Sequence, residues 1–367
     1  MRRLDFVRLT GASLALSAVP GCLSRDGAER LPAADGAESE GFTAWTWVHG
    51  DRDLGTDAWR TRFARLASAG IGSVLVGGGD VAILSEAART EGLGFHRWYW
   101  TLNRKDDVWA KENHPEWFTV RRDGRSSLEH PPYVNYYQWV CPSRPAVREY
   151  LAGEIAALAD DPRIDGVHLD YVRHCDVILP RGLWDTYDLV QDVELPEFDF
   201  CYCDVCREQF AALDGRDPMT LDDPGRDPAW RRFRWDSVTG LVRRLAQAVH
   251  TRDKPISAAV FPTPDIARTL VRQSWDEWPM DRFFPMLYHA FYLEDLPWIG
   301  ARVRDGVEAL GTGDRRLNAG LYLPDLTPEA LAEVVNLARA AGASGVALFE
   351  SEALSDAHLA ALAGVLA

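Results

Sequence analysis

Lysine is almost absent from this chain of 367 residues. It occurs only at Lys105, Lys111 and Lys254, and the 40 basic residues, nearly all of them arginine, are set against 55 acidic ones for a formal net charge of -15. A protein that binds nucleic acid needs a basic patch to neutralise phosphates, and no block of Lys and Arg provides one. We therefore expect no nucleic-acid partner.

The N-terminus lacks an apolar run long enough to cross a bilayer. Leu9–Val19 is short and weakly apolar, and it follows the charged pair Arg2-Arg3, which resembles a twin-arginine export signal. Gly21-Cys22 resembles a lipobox. We expect an export signal over residues 1–22 with a lipid on Cys22; the alternative is an ordinary secretory peptide with a structural cysteine.

Residues 23–41 are rich in Ala, Gly, Asp, Glu and Ser, which is typical of a flexible tether. We therefore expect an exported protein, held on the outer face of the cytoplasmic membrane or in the cell envelope. Membrane contact is expected only through the lipid anchor. Residues 42–367 are expected to form one catalytic domain.

A glycine-rich turn for a dinucleotide is also missing, since no G-x-G-x-x-G follows the first predicted strand. From residue 42 onward, short β-branched or aromatic runs alternate with helical patterns, which is typical of a parallel sheet wrapped in helices. The pattern predicts an α/β fold, a (β/α)8 TIM barrel; a doubly wound open sheet is the alternative. The predicted strands are 42–49, 73–76, 94–102, 165–172, 256–261, 283–288, 317–323 and 345–349.

Two long insertions, 103–143 and about 175–227, follow predicted strands three and four. In a barrel of this kind the loops after the strands build the active site, and loops of this length are usually functional. The sequence therefore places the site at the C-terminal ends of the strands.

The fourth strand carries the most informative pattern, Asp165-Gly-Val-His-Leu-Asp-Tyr171. Because side chains alternate along a strand, His168 and Asp170 share one face, opposite Val167 and Leu169. Asp170 would then point into the barrel near its mouth, where a carboxylate is costly unless it is paired or functional. A structural Asp bonded to neighbouring strands is the alternative.

Several further motifs stand out along the chain: His114–Trp117, Asp123-Gly124, Cys141–Tyr150, Asp165–Tyr171, Phe200–Arg207 and Phe284–His289. In order and spacing over roughly residues 42–350, they resemble the family-10-like glycosyl hydrolases. These are barrel proteins found largely among bacterial lipoproteins and exported proteins, and the resemblance implies a barrel that cleaves glycosidic bonds. Strand four also looks like that of the α-amylase clan, but His168 stands where that clan has Arg.

Glycosidases usually need two carboxyl groups, one protonated and one ionised. We expect Asp170 to be the ionised nucleophile or base, because His168 and Arg173 would favour its charge. Glu350, which ends strand eight, is the expected general acid. The other candidates for the acid are Glu352, Asp265, Asp325 and Asp276.

Fourteen tryptophans exceed the needs of one barrel core. Flat rings on a catalytic face provide platforms for sugars, although ordinary packing should claim about half of them. Polar groups near strand ends could bond sugar hydroxyls, or each could be a satisfied structural residue. The expected substrate-contacting residues are His168, Trp47, His49, Trp98, Asn103, Tyr288 and His289.

Cys201-x-Cys203-x2-Cys206 is a dense group of thiols, and Cys175 could join it. Such a cluster could hold a structural zinc ion, or it could consist of disulfides or free thiols. No cofactor is required for the expected reaction.

The function expected is hydrolysis of an extracellular oligo- or polysaccharide. The alternatives are a carbohydrate-binding barrel lipoprotein without catalysis, and a metal-dependent hydrolase, which is disfavoured because the inward strand positions hold no His-x-His pair.

Overall fold

The computed structural model describes residues 41–50 and 54–367 of the chain. The predicted export signal, the lipobox at Cys22 and residues 23–40 of the predicted tether lie outside the described residues. Within the described part, no helix is both long and apolar enough to cross a membrane.

Eight parallel strands close into a barrel in the order of the chain, and β1 pairs with both β2 and β8. This confirms the predicted (β/α)8 barrel. The open sheet would have left β1 and β8 unpaired with each other. The strands are β1 (Thr43–Gly50), β2 (Ile71–Gly78), β3 (Gly94–Trp100), β4 (Gly166–Asp170), β5 (Ile256–Val260), β6 (Arg282–Pro285), β7 (Arg316–Tyr322) and β8 (Gly345–Phe349).

In the described part of the chain one helix outside the insertions follows each strand, and three further helices lie in the insertions. The helices of the described residues are α1 (Thr56–Ser68), α2 (Val81–Thr90), α3 (Val108–Asn113), α4 (Pro145–Asp160), α5 (Trp184–Tyr187), α6 (Asp204–Asp214), α7 (Pro228–His250), α8 (Pro264–Val271), α9 (Leu296–Leu310), α10 (Pro328–Ala340) and α11 (Asp356–Leu366). Of these, α3 belongs to the insertion after β3, and α5 and α6 belong to the insertion after β4.

Capping residues set the helix starts. The side chain of Thr327 accepts a hydrogen bond from the Ala330 N–H, and Pro328 opens α10. Helix α8 is short and follows a proline-rich turn. The same signal marks it, since Thr263 caps it and Pro264 stands in its first turn.

The inside of the barrel is filled with aromatic rings. Along β1, Trp45 and Trp47 point inward and are 2% and 1% exposed, and they pack with Trp98 of β3 and Phe284 of β6. The outward-facing residues of the strands pack against the surrounding helices in a separate, larger core. The barrel is therefore a solid core, as is usual for this fold.

The two insertions pack against each other on the C-terminal side of the barrel. Residues 101–144 connect β3 to α4, and residues 171–227 connect β4 to α7. An antiparallel bridge between Arg121 and Phe200 joins them, and the Tyr202 N–H donates to the Val120 carbonyl at 2.7 Å. They form one connected wall beside the ends of β3 and β4.

Candidate active site

The C-terminal ends of five strands bring polar and aromatic side chains to one end of the barrel. Parallel strands all finish at the same face, so residues distant in sequence can meet there. The residues are His49 of β1, Trp98 of β3, Asp170 of β4, Tyr288 just after β6, and Glu350 directly after β8.

Asp170 is the last residue of β4 and lies beside Trp100 of β3 in the strand register. Its carboxylate accepts hydrogen bonds from the Trp98 indole N–H at 3.0 Å and from the Tyr171 backbone N–H at 2.7 Å. The residue as a whole is partly exposed at the end of the strand.

The pKa of Asp170 is shifted in the opposite direction from the one expected from its neighbours in sequence. Burial raises its pKa, and this effect outweighs the two hydrogen bonds and the charge of Arg173, which all lower it. Arg173 is instead paired with Asp176, at 2.8 Å between guanidinium and carboxylate. A buried Asp170 therefore takes up a proton more readily than a free aspartate, which is the opposite direction from the one that the predicted ionised state would favour.

His168 and Trp47 lie deeper in the barrel, 0% and 1% exposed. The Trp47 indole donates to His168 Nε2 at 3.2 Å, so the proton of a neutral imidazole is on Nδ1, which faces the Ser257 hydroxyl at 2.9 Å. Burial holds the pKa of His168 well below its usual value. Both residues belong to the packed interior, so their burial speaks against the predicted contacts with sugar.

Glu350 and His49 form an ion pair, with 2.8 Å between His49 Nε2 and the Glu350 carboxylate. Burial alone would lower the pKa of His49, but the hydrogen bond to Glu350 and its charge outweigh burial and raise it. Both side chains are partly exposed, at 36% and 24%. The imidazole of His49 and the Glu350 carboxylate therefore lie in direct contact at the mouth of the barrel.

Trp98 connects the two acids. Its indole N–H is bonded to Asp170, while its ring lies 5.0 Å from that of His49, between centroids. On another side it meets Phe349, at 6.3 Å between centroids. The ring is therefore part of the surroundings of both carboxyl groups.

Tyr288 lies near both acids as well. Burial raises its pKa well above the usual value, and the charges of Asp170 and Glu350 add to the effect, so its hydroxyl stays protonated. Its ring contacts Phe349 and Tyr322, with centroids 6.1 Å and 5.2 Å apart. Together, Trp98, Phe349, Tyr288 and Tyr322 form an aromatic group at the strand ends, which we call the aromatic floor.

Two other predicted contacts differ in accessibility. Asn103 lies in a bridge with Trp139 and is 2% exposed, so the prediction that it contacts sugar is not supported by its position. His289 is partly exposed, begins the short helical turn His289–Tyr292, and influences the charge of Asp325. It remains available to a ligand.

The alternative acids are less suitable than Glu350. The Asp265 side chain is 97% exposed and lies 3.5 Å from Arg268, which also pairs with Asp276 at 2.6 Å. Glu352 is exposed. Burial raises the pKa of Asp325, and the charge of His289 lowers it, but Asp325 is an exposed residue.

An aromatic and cationic group that the expected substrate contacts did not include lies beside Asp170. The Trp100 ring lies 4.4 Å from Tyr171, and the Lys105 ammonium lies over Trp100 at 4.9 Å and over Tyr136 at 5.7 Å, all measured to ring centroids. The signal was available for Trp100, because it stands two residues after Trp98 and therefore on the same face of β3.

The cysteine cluster has a different membership from that predicted. Its four thiols belong to Cys141, Cys201, Cys203 and Cys206. Cys175 is buried elsewhere in the insertion after β4, and its inclusion was wrong. The packing of the two insertions brings Cys141, rather than Cys175, to the other three.

No protein-family model and no curated protein matches this chain. Among solved structures, it is similar to the PgaB (BpsB) glycoside hydrolase domain from Bordetella bronchiseptica, at 13% identity over 89% of this chain and 99% of that chain, with a TM-score of 0.63. It is also similar to the catalytic domain of β-amylase from Paenibacillus polymyxa, at 11% identity over 87% and 95% of the two chains, with a TM-score of 0.61. A third similarity is to β-galactosidase from Bacillus circulans sp. alkalophilus, at 14% identity over 89% of this chain and 55% of that chain, with a TM-score of 0.57. At these identities the likeness shows the fold: this chain has a barrel of the kind found in glycoside hydrolases.

Proposed function

We propose that this chain is a glycoside hydrolase whose reacting carboxyl groups are Asp170 and Glu350. One observation carries the proposal: two acids on β4 and after β8, opposite each other in the barrel order, have contrasting surroundings. Burial raises the pKa of Asp170, whereas Glu350 faces a histidine whose pKa is raised. Glycosidases need this pairing of one protonated and one ionised carboxyl group.

The contrast assigns the roles in reverse of the sequence-based expectation. Asp170 is the general acid, which protonates the oxygen of the leaving sugar as the glycosidic bond breaks. Glu350 is the ionised partner and acts as nucleophile or as the base that activates water. His49, whose Nε2 lies 2.8 Å from the Glu350 carboxylate, orients that carboxylate before the reaction.

The aromatic floor supports binding of a sugar between the acids. Trp98 and Phe349 offer apolar ring surface for the face of a pyranose, while the Tyr288 hydroxyl remains a hydrogen-bond donor. Trp98 has a second role, because its N–H also holds the Asp170 carboxyl group in place.

The proposed substrate is an extracellular oligo- or polysaccharide, and no cofactor takes part in the proposed reaction. The two insertions flank the strand ends and provide a wall along which more than one sugar unit can bind. Two of the similar solved structures are described as a glycoside hydrolase domain and a β-amylase catalytic domain, which agrees with this class of reaction.

A glycan panel combined with three variants tests the proposal. Asp170→Asn and Glu350→Gln should each lower turnover by about 100-fold or more, because each removes an acid or base from the reaction. Asp265→Asn is the matched control, since it alters an exposed carboxylate after β5, and it should retain activity. Full activity in Asp170→Asn would exclude the mechanism, and binding of a glycan without hydrolysis by the wild type would favour the carbohydrate-binding alternative.

We also propose that the chain is exported and held at the membrane by a lipid on Cys22, as its first residues suggest. In a bacterial host, labelling with a fatty-acid analogue should mark the wild type and leave Cys22→Ala unmarked. An unlabelled wild type that is nevertheless recovered outside the cytoplasm would instead support an ordinary secretory peptide.

A further inference from the structure

Four cysteine thiols meet between the two insertions. Cys141 ends the insertion after β3, whereas Cys201, Cys203 and Cys206 belong to the insertion after β4, where Cys203 caps α6 and Cys206 lies in its first turn. All four sulfur atoms lie within 4.8 Å of one another, and every one of these residues is buried.

The spacing of the sulfur atoms suits a tetrahedral metal ion. A zinc–sulfur bond of about 2.3 Å places the sulfurs of a tetrahedral site about 3.8 Å apart. The separations are 3.4 Å between Cys141 and Cys206 and 3.7 Å between Cys203 and Cys141. A disulfide needs about 2.0 Å between sulfurs, and all four cysteines are free thiols. We propose that Cys141, Cys201, Cys203 and Cys206 bind one Zn²⁺ ion.

The surroundings of the cluster fit bound thiolates. The Val120 and Cys203 backbone N–H groups donate to Cys201 Sγ at 3.3 Å and 3.4 Å, and such donors stabilise negative sulfur. Four thiolates on Zn²⁺ leave a net double negative charge. Arg144 and Arg148 lie close enough to interact electrostatically with the cluster, so two positive charges are at hand to balance it.

The proposed ion has a structural role. Four protein ligands complete a tetrahedral zinc site and leave no open position for water or substrate. The ion would cross-link the insertion after β3 to the insertion after β4, next to the bridge between Arg121 and Phe200. It would therefore fix the wall beside the ends of β3 and β4, independently of which reaction occurs at those ends.

Metal analysis of the purified full chain is the first test. We expect elemental mass spectrometry to find about one zinc ion per chain. After denaturation with a chelator, all cysteines from Cys141 onward should react as free thiols. A chain without metal that contains disulfides among these cysteines would overturn the proposal, and iron in place of zinc would overturn the identity of the ion.

Two variants make the test specific to the cluster. Cys141→Ala should lower the zinc content at least about tenfold, whereas Cys175→Ala should leave it unchanged. The control is closely matched, because Cys175 is a buried free thiol outside the cluster, 2% exposed against 0% for Cys141. Zinc retained in full by Cys141→Ala would contradict the site.

Cobalt exchange gives a result that does not depend on the folding of a variant. Wild-type chain loaded with Co²⁺ in place of its metal should show the absorption of a tetrahedral cobalt–thiolate site, including sulfur-to-cobalt charge transfer. A cobalt-loaded chain without that charge-transfer band would overturn the proposal.

Discussion

The variant Trp98→Phe removes one hydrogen bond from Asp170 and keeps an aromatic ring in the floor. In the wild type the indole N–H donates to the Asp170 carboxylate at 3.0 Å, and this bond favours the ionised form. A hydrogen bond to a charged group contributes roughly 1.5–3 kcal/mol, and one pKa unit corresponds to about 1.4 kcal/mol. Because Asp170 is partly exposed, water recovers part of the loss, so we expect its pKa to rise by about one unit.

The assay is the pH dependence of kcat/KM on whichever glycan is hydrolysed. If Asp170 is the proton donor, activity falls as the pH rises through its pKa, and this fall reports the free enzyme. In Trp98→Phe the alkaline side of the profile should therefore move upward by about one pH unit.

Trp100→Phe is the control for the loss of an indole. Trp100 stands on the same face of β3, and within the described residues its N–H makes no hydrogen bond to Asp170. The alkaline side of the pH profile of Trp100→Phe should therefore stay where it is in the wild type. An unchanged or lowered alkaline limb in Trp98→Phe would refute the assignment of Asp170 as the acid.

Three further outcomes follow from the same geometry. Because the folded-state pKa of Asp170 is raised above 3.8, its burial penalty grows as the pH rises. Asp170→Asn should therefore gain melting temperature relative to the wild type between about pH 3 and about pH 7, and a constant difference would contradict this. Because the pKa of His49 is raised in the folded state, its ion pair with Glu350 stabilises the fold fully below pH 6.5. This stabilisation is lost as the pH rises through the raised pKa. His49→Gln should thus be less stable than the wild type in acid, with the gap closing in alkaline solution, as thermal unfolding at several pH values would show. A Cβ on Gly77 would lie 2.7 Å from a carbon of the Trp98 ring, so Gly77→Ala should displace that ring and lower kcat/KM while Gly72→Ala, with open space at its Cβ, should not.

Much of the barrel could be predicted because its signals are local. Alternation along β4 correctly placed His168 and Asp170 on one face, and the alternation of strand and helix patterns correctly indicated the (β/α)8 barrel. Each depends on neighbouring residues in the chain.

Depth inside the barrel could not be predicted from one strand. His168 lies one layer of side chains deeper in the barrel than Asp170. Only the rings of other strands decide which layer is closed to solvent: Trp47 covers His168, whereas Asp170 lies at the rim. The charge of Asp170 depends on the same packing. Sequence proximity to His168 and Arg173 indicated an ionised group, but burial by neighbouring strands has the larger effect.

The membership of the cysteine cluster is a long-range property for the same reason. Cys175 is nearer in sequence to Cys201 than Cys141 is, yet the bridge between Arg121 and Phe200 brings the end of the first insertion to the second. Distance along the chain carries little information about contacts between two long insertions.

The rings that fill the barrel from within have a consequence for how such a protein could be changed. Trp45, Trp47 and Phe284 occupy the axis, so no ligand can pass down through the strands. Whatever binds must lie across the top, where selectivity depends on the insertions after β3 and β4. A new specificity could therefore be introduced by exchanging those two insertions together, as one unit with their shared cysteines. The aromatic rings inside the barrel would then stay unchanged.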